Sequence, residues 1–324
     1  MPVTITAGIT FSGGGLTMEF APPSTATAGW WAGGSTGSTV QRITFATDTA
    51  STSVRGPLSG SFTDQAATGT LTYGWYAGGN NPPSSTVGRI TFASDTNTAS
   101  VRGPLNRSVR QLAASTTDTY GWFGGGYTTN NTSAVSRITY ATDTATATGV
   151  GPLSYTSYNM TATGTNEYGW FAGGFAPGPA RVVSTVSRIT YVSDTNVAID
   201  RGPLSEANRA MAAVTDSTTY GWFGGGYLGI TPTPPYVTSV VNRMTFANDT
   251  AALSSRGPLT VRRQLLSAAF DNTNGWFGGG YVNSGGGSRS TVDRITYATD
   301  TATASVRGPL NAAVYSTSTT SGVQ

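Results

Sequence analysis

The chain has 324 residues, a net charge of +3 at neutral pH and only 10% charged residues, against about 25% in a typical globular domain. All 18 basic residues are Arg, and no Cys, His or Lys is present. The chain therefore offers only the short Arg262-Arg263 pair where nucleic-acid binding requires clustered cations, and no apolar run approaches the roughly 20 residues of a membrane span, so we expect neither a nucleic-acid nor a membrane partner.

Residues 1–22 lie outside the pattern that fills the rest of the chain, and they lack the features of a signal peptide. Val3, Ile5, Ile9 and Phe11 are spaced as in short strands, and Gly13–Gly15 interrupts them. An apolar, β-prone segment that stays unpaired promotes aggregation. We therefore expect an N-terminal arm that pairs either with its own domain, as an added edge strand, or with another chain.

Residues 23–324 contain three landmarks that recur six times in one fixed order. They are the Gly of a Gly-Trp pair (Gly29, Gly74, Gly121, Gly169, Gly221, Gly275), the Arg of an R-[IM]-T-[FY] run (Arg42, Arg89, Arg137, Arg188, Arg243, Arg294) and the Gly of a G-P-L triplet (Gly56, Gly103, Gly151, Gly202, Gly257, Gly308). The Gly-Trp pairs are 45, 47, 48, 52 and 54 residues apart. A period of about 40–50 residues indicates a solenoid, a propeller or another array.

Each copy predicts four short strands. In the third copy these are Gln111–Ser115, Thr119–Gly124, Val135–Thr142 and Ala145–Val150. The third strand shows the alternation of period two that a strand requires. A turn at Asp143-Thr144 precedes the fourth strand, and Gly151-Pro152 ends it because Pro cannot donate to a ladder.

Four antiparallel strands per repeat are typical of a propeller blade. A β-helix has shorter periods and open ends that need caps. Separate domains of about 48 residues would each be too small for a stable core without disulfides or metal. We therefore predict an all-β fold with one six-bladed β-propeller over residues 23–324.

The spacing also predicts how the ring closes. From each G-P-L to the next Gly-Trp the chain runs 18 or 19 residues, and after Gly308 the sequence reaches only Gln324. The run Asn311–Thr320 is therefore interpreted as a first strand without a following blade, whereas the first Gly-Trp, at Gly29, has no such strand before it. We predict that this C-terminal strand completes blade 1 and leaves no exposed edge.

The order of a small-apolar strand, an aromatic-Gly-Gly strand, an aromatic-then-Asp strand and a closing strand resembles the kelch repeat. The Gly-Gly pairs fall at residues 33–34, 78–79, 124–125, 173–174, 224–225 and 278–279. The chain departs from the kelch pattern in two respects: Tyr140 and Asp143 are three residues apart where kelch has them adjacent, and the Trp precedes the glycines.

The repeated sequences YGWFGGG and ATDTATASVRGPL are similar to those of low-complexity propellers among marine cyanophage virion proteins. The opening sequence TITAGITFSGGG resembles N-terminal segments of phage virion proteins. This resemblance implies a tail-fibre, baseplate or capsid-associated protein located in the virion. Its implied partners are other virion proteins, bound through residues 1–22, and a homo-oligomer is consistent with it.

Two repeated sets of side chains have a structural and a binding interpretation. The six Gly-Trp tryptophans either pack between blades, where glycine permits close backbone approach, or line sugar sites. Each R-[IM]-T Arg stands six residues before a turn Asp, as in Arg137 with Asp143. The arginines either tether a neighbouring strand or blade by bidentate bonds or bind an anion. We favour the structural interpretation for both sets.

Catalysis and metal binding are weakly supported. The chain has no His, Cys or Lys to act as base or nucleophile. A glycosidase would need two carboxylates, and the S-x-D-x-G-x-T-W box of sialidases is absent. One carboxylate per turn is too few for calcium. We expect no enzymatic activity, no catalytic residues, no metal site and no cofactor.

The loops between the second and third strands carry the candidate binding residues. Gly-Trp to R-[IM]-T spans between 13 and 22 residues while the rest of the repeat is constant, and variable loops on a rigid scaffold are where function tends to lie. The candidates are Asn80, Asn81, Tyr127, Asn130, Asn131, Phe175, Arg181, Tyr227, Tyr236, Tyr281 and Arg289.

Their composition suits contact with protein or sugar, and neutral drift in unconstrained loops is the alternative. Two functions follow from this interpretation. The first is a non-enzymatic virion structural protein that presents a propeller loop face for protein or host-surface contact. The second is a carbohydrate-binding propeller lectin that recognises a cell-surface glycan.

Overall fold

Short antiparallel strands joined by Gly-, Thr- and Asn-rich turns build the described part of the molecule. The computed structural model describes residues 8–12, 15–19, 25–178, 182–229, 236–282 and 286–323. Within these residues, six four-stranded antiparallel sheets form the six blades of a β-propeller, which confirms the predicted fold class.

The strand bounds repeat from blade to blade. Blade 1 contains β3 (Ala28–Ala32), β4 (Val40–Thr44) and β5 (Ser53–Arg55); blade 2 contains β6 (Ala66–Gly69), β7 (Tyr73–Ala77), β8 (Val87–Thr91) and β9 (Ser100–Arg102); blade 3 contains β10 (Ala113–Thr116), β11 (Tyr120–Gly124), β12 (Val135–Thr139) and β13 (Thr148–Val150). Blade 4 contains β14 (Thr161–Gly164), β15 (Tyr168–Ala172), β16 (Val186–Thr190) and β17 (Ile199–Arg201); blade 5 contains β18 (Ala212–Thr215), β19 (Tyr220–Gly224), β20 (Val241–Thr245) and β21 (Ser254–Arg256). Blade 6 contains β22 (Ser267–Phe270), β23 (Asn274–Gly278), β26 (Val292–Thr296) and β27 (Ser305–Arg307), with the small ribbon β24 (Tyr281–Val282) and β25 (Gly287–Ser288) inserted; β28 (Ser318–Gly322) follows.

The N-terminal segment contains a hairpin. Strand β1 (Gly8–Ser12) pairs antiparallel with β2 (Gly15–Glu19), with Ile9 opposite Met18 and Phe11 opposite Leu16. Among the described strands, the hairpin pairs only with itself, rather than adding one edge strand to a blade. The rest of the predicted arm, including Val3 and Ile5, lies outside the described residues.

Strand β28 closes the ring. It pairs antiparallel with β3, placing Ser318 opposite Ala32 and Gly322 opposite Ala28, so the first and last described parts of the propeller share one sheet. The first strands of neighbouring blades contact one another around the axis, from β6 through β22 to β28 and back to β6. The predicted closure is confirmed, but the strand is shorter than the predicted run Asn311–Thr320 and lies further along the chain, from Ser318 to Gly322.

The third strand of each blade ends earlier than predicted. Strand β12 stops at Thr139, and Tyr140–Thr142 forms a 3-10 turn. The same turn recurs at Phe45–Thr47, Phe92–Ser94, Tyr191–Ser193, Phe246–Asn248 and Tyr297–Thr299, and one further 3-10 turn spans Gly34–Thr36. The alternating residue pattern of the strand continues through Tyr140 and Ala141, but the backbone does not continue as a strand. The chain must turn there to bring Asp143 against the neighbouring blade.

Each Gly-Trp tryptophan packs between blades. The six rings are at most 1% exposed, and each stacks on the aromatic residue that opens the 3-10 turn of the next blade. In the pair Trp75–Tyr140 the ring centroids are 4.0 Å apart. This burial confirms the structural interpretation and removes these tryptophans as sugar-binding surfaces.

The same tryptophans donate to a buried aspartate of the next blade. Trp75 Nε1 and Arg89 Nη1 both donate to Asp143 Oδ2, at 2.8 and 3.0 Å, and Arg102 Nε lies 3.5 Å from the same oxygen. We call this cluster of Trp, Arg and Asp an inter-blade node. The nodes are centred on Asp48, Asp95, Asp143, Asp194, Asp249 and Asp300.

Each R-[IM]-T Arg contacts the aspartate of the next blade and not the Asp that follows it by six residues. Arg137 forms its ion pair with Asp194 of the next blade, at 2.9 Å, and not with Asp143. The 3-10 turn breaks the strand between the two residues and carries the carboxylate to the opposite neighbour. The contact uses one carboxylate oxygen rather than the two of a bidentate pair, and it tethers adjacent blades as the structural interpretation required.

The Gly of G-P-L completes the node. Gly103 N donates to the Asp143 backbone carbonyl at 2.8 Å, and a Cβ on Gly103 would lie 2.0 Å from Ala145 O. Only glycine fits at position 103, because the backbone oxygen of Ala145 cannot move aside to make room for a Cβ. Every landmark of the repeat therefore takes part in one inter-blade interface.

The glycine pair after the second strand is displaced by one residue in three blades. The backbone has positive φ at Gly125 and Gly126, with φ of 67° and 100°, rather than at residues 124–125, and the same shift occurs in blades 5 and 6. Gly124 belongs to β11, where a Cβ would lie 2.9 Å from Phe171.

Removal of Asn311–Gln324 is expected to unfold or aggregate the protein, because blade 1 loses β28 and the inner edge of β3 is exposed. Thermal melting and size-exclusion chromatography measure this. Deletion of Met1–Glu19 is the control and is expected to leave the melting temperature nearly unchanged. An unaltered melting curve after loss of Asn311–Gln324 would contradict the closure.

Asp143→Ala is expected to lower the free energy of unfolding by about 3 kcal/mol, since it leaves two arginines and an indole N–H without their acceptor in a largely buried interface. Asp118→Ala is the matched control, because Asp118 is exposed in the turn between β10 and β11; its effect should stay within about 0.5 kcal/mol. Equal effects of the two substitutions in reversible denaturation would argue against the node.

Candidate functional site

One end of the propeller carries the variable loops. The first strand of each blade starts beside the end of the second, as in the Ala113–Gly124 pair, so the loops between second and third strands lie beside the connections that enter each blade. We call this end the loop face. The opposite end carries the short turns between first and second strands.

A small cavity opens on the axis at the loop face. Its volume is about 80 Å³, and one residue from each connection rings it: Asp64, Gln111, Asn159, Ala210, Leu265 and Ser316. Each has φ between 54° and 57°, and backbone hydrogen bonds such as Gln111 N to Asp64 O, at 2.7 Å, link five successive pairs. Because all six share this conformation, it is a requirement of the ring and not a local strain at one site.

The cavity has a polar and an apolar side. Ser316, Asp64, Gln111 and Asn159 are consecutive around the axis, and the other two ring positions are apolar. Asp64 is the single carboxylate among the lining residues, and Gln111 Nε2 donates to it at 3.4 Å. A cavity with one carboxylate does not provide the pair of acids that glycoside hydrolysis uses.

Around the axis, each loop is tied to the connection that enters its own blade. Arg110 and Tyr127 exchange two backbone hydrogen bonds, at 3.0 and 2.8 Å. The same antiparallel bridge joins Tyr158 with Phe175, Arg209 with Tyr227 and Gln264 with Tyr281. In blades 3 to 6 these bridges hold Tyr127, Phe175, Tyr227 and Tyr281 on the rigid frame.

The bridged side chains contact one another from blade to blade. Tyr158 meets Tyr127 at 5.7 Å and Phe175 at 5.2 Å between ring centroids. The guanidinium carbon of Arg110 lies 5.2 Å from the Tyr127 centroid, and that of Arg209 lies 5.4 Å from Phe175 and 4.7 Å from Tyr227. We call the continuous strip Arg110, Tyr127, Tyr158, Phe175, Arg209 and Tyr227 the arginine–aromatic belt; all six are half-buried.

The belt unites three of the predicted site residues, Tyr127, Phe175 and Tyr227. Tyr236 lies next to it, 6.1 Å from Tyr227, and Asn131 Nδ2 donates to Phe175 O at 2.9 Å. Asn130 extends from the same loop as Asn131 and is exposed.

The remaining predicted residues lie elsewhere on the loop face. Tyr281 contacts Tyr315 at 5.5 Å, and Arg289 is bridged to Val314. Asn80 uses its side chain to accept from Thr63 N at 3.0 Å, which gives it a structural role, and Asn81 is exposed. Arg181 lies outside the described residues.

Three residues of the belt, Arg110, Tyr158 and Arg209, were not predicted from the sequence. They stand seven residues after the Gly of G-P-L, at 103, 151 and 202, in a connection of nearly constant length. Variation in loop length does not reveal this position, because here the residue type varies and the length does not. Alignment of the copies at this position would have shown Thr63, Arg110, Tyr158, Arg209, Gln264 and Tyr315.

The described residues contain no group of three or more acidic side chains arranged to hold a metal ion. No helix in the described part of the chain is long and apolar enough to cross a membrane.

Comparison with solved structures shows the same architecture. The structure of YjhT superposes on this chain with a TM-score of 0.71, over 87% of this chain and 95% of YjhT, at 11% sequence identity. At that identity the likeness shows the fold alone. No protein-family model and no curated protein matches the chain.

Proposed function

We propose that the protein is a non-enzymatic structural component of a phage virion that presents its loop face for contact with another protein or with the host surface. One observation carries the contact role. The Trp, the first Arg and the Asp of the node recur in every blade, whereas side chains on the loop face differ and form a continuous belt on a rigid support. The virion assignment rests on the resemblance of the repeated sequence motifs and of the opening segment to virion proteins.

The N-terminal hairpin supports a docking role for residues 1–22. Its two strands pair with each other and leave both outer edges available for strand addition, while β28 closes the ring without it. In this proposal the hairpin binds another virion protein or a second copy of the chain.

The proposal predicts that the protein co-purifies with intact particles through a density gradient and that deletion of Met1–Glu19 abolishes incorporation without lowering the melting temperature. The matched control is Asp118→Ala, an exposed change on the ring that should leave incorporation intact. Presence of the protein in the lysate but not in intact particles would contradict the virion role. A large fall in melting temperature after the deletion would show that the segment belongs to the ring.

A carbohydrate-binding propeller lectin is the second candidate function, and the belt favours it. The half-buried aromatic rings of the belt offer flat apolar surface beside polar groups, as carbohydrate contact requires. The buried node tryptophans cannot serve in this way. Binding to a glycan on an array that is lost in Tyr158→Ala would support the lectin role. If the unaltered protein binds no glycan on that array, the lectin role is contradicted.

A further inference from the structure

The arginines in the described part of the chain fall into two groups. Each node arginine lies 2.9–3.6 Å from an aspartate, and buried Arg263 pairs with Asp293 at 3.0 Å. In contrast, five arginines of the described loop face form no ion pair within 4.0 Å: Arg107, Arg110, Arg209, Arg262 and Arg289. Unpaired guanidinium groups therefore collect at one end of the molecule.

Carboxylates collect at the other end. Asp118, Glu167, Asp216 and Asp271 each lie in the turn between first and second strands, one on each of blades 3 to 6, and these turns contain no Arg. The loop face carries Asp64 and Glu206, and Asp200 lies beside it, where it accepts from Ser154 Oγ of a loop-face connection. None of these three forms an ion pair with an arginine, and on blades 3 to 6 the five unpaired arginines outnumber Asp200 and Glu206. Blades 3 to 6 thus have a positive loop face and a negative opposite face, a distribution that directs an anion to the belt.

Two of the unpaired arginines are held in place. Arg110 stacks on Tyr127, and Arg209 lies between Phe175 and Tyr227. The planar guanidinium presents parallel N–H groups that match the two oxygens of a carboxylate or sulfate. Because stacking fixes the plane before the ligand arrives, less side-chain entropy is lost on binding.

Between these arginines the belt is aromatic. Tyr127, Tyr158 and Phe175 form a row of contacting rings from blade 3 to blade 4. Such a row can stack the apolar faces of successive sugar rings, while the arginine at each end pairs with an acidic substituent.

We propose that the arginine–aromatic belt binds an acidic polysaccharide, one that carries carboxylate or sulfate groups on its sugar rings. Arg110 and Arg209 each pair with an acidic group, and the three rings between them stack on the intervening sugars. The inference rests on the loop face being the contact surface and names the class of ligand that it contacts.

Single-stranded nucleic acid also combines aromatic stacking with cationic contacts. It requires a continuous positive groove along its phosphates, whereas the belt places its two arginines at separated positions with uncharged rings between them. Polysaccharide fits this arrangement better, and the experiment includes nucleic acid as an alternative outcome.

The test measures binding of the full chain to polygalacturonate, ι-carrageenan, neutral dextran and a 30-nucleotide oligo-dT by biolayer interferometry. We expect binding to polygalacturonate, to carrageenan or to both, with the preferred one identifying carboxylate or sulfate, and no binding to dextran. Arg209→Gln should weaken the binding at least about tenfold, as expected for a charged hydrogen-bonding partner. Arg209→Lys should recover only part of it, since Lys keeps the charge but loses the planar donor pair.

Arg262→Gln is the matched control, because Arg262 is an exposed loop-face arginine outside the belt. It should change the affinity by no more than about twofold, as a rim charge does at physiological salt. Melting curves must show that each variant is folded, and Tyr158→Ala provides a second, uncharged test of the belt.

Several results would overturn the inference. Equal losses in Arg262→Gln and Arg209→Gln would indicate non-specific attraction. Equal binding of dextran would indicate a neutral glycan site and leave the contact role intact, and stronger binding of oligo-dT would indicate nucleic acid. Binding to none of the probes would refute the ligand class, whereas the virion role is decided separately by co-purification with particles.

Discussion

The ring depends on one repeated contact, in which an aspartate carboxylate oxygen accepts hydrogen bonds from the neighbouring blade. In every node, one aspartate Oδ2 accepts an indole N–H and a guanidinium N–H from the preceding blade. A buried carboxylate is costly unless such donors satisfy it. Each blade supplies the donors of the node with the following blade and the acceptor of the node with the preceding one. A blade is therefore stable only between two others, and six equivalent interfaces require closure.

This constraint explains why the repeat is so uniform. The Trp must reach the aspartate, its ring must stack on the next aromatic, and the G-P-L glycine must admit a backbone oxygen at close range. A change at any of these positions leaves a buried donor or acceptor without its partner. The blade 3–4 node shows the small variation that is tolerated: Val150 stands where five blades have a second arginine, and Asp194 retains Trp122 and Arg137 as donors.

The loop face is free of this constraint. Its bridges use backbone hydrogen bonds, which any residue except Pro can make, so the side chains at these positions can differ without loss of the ring. Arg110, Tyr158 and Arg209 occupy equivalent positions with different chemistry. The separation of a fixed frame from a variable face is what allows a binding surface to be assigned to one end of the molecule.

The repeat, the number of blades and the closing strand followed from spacing, because covalent distance along the chain limits where a strand can begin. The Arg–Asp partners did not, since Arg137 is six residues from Asp143 but bonds to Asp194, and only the path of the 3-10 turn decides between them. The belt as a whole could not be predicted from the sequence either. Tyr127 and Phe175 were visible in variable loops, whereas the residues between and beside them come from a connection that the sequence presents as constant.

A double-mutant cycle tests the node most directly. Trp75→Phe, Asp143→Ala and the double variant are compared by reversible denaturation, with Trp222→Phe and Asp143→Ala as the distant pair, because Trp222 donates to Asp300 instead. We expect a coupling free energy of about 1–3 kcal/mol for the contacting pair and additivity within about 0.5 kcal/mol for the distant pair. Additive losses in both pairs would show that Trp75 and Asp143 stabilise the ring independently and would contradict the node as its organising contact.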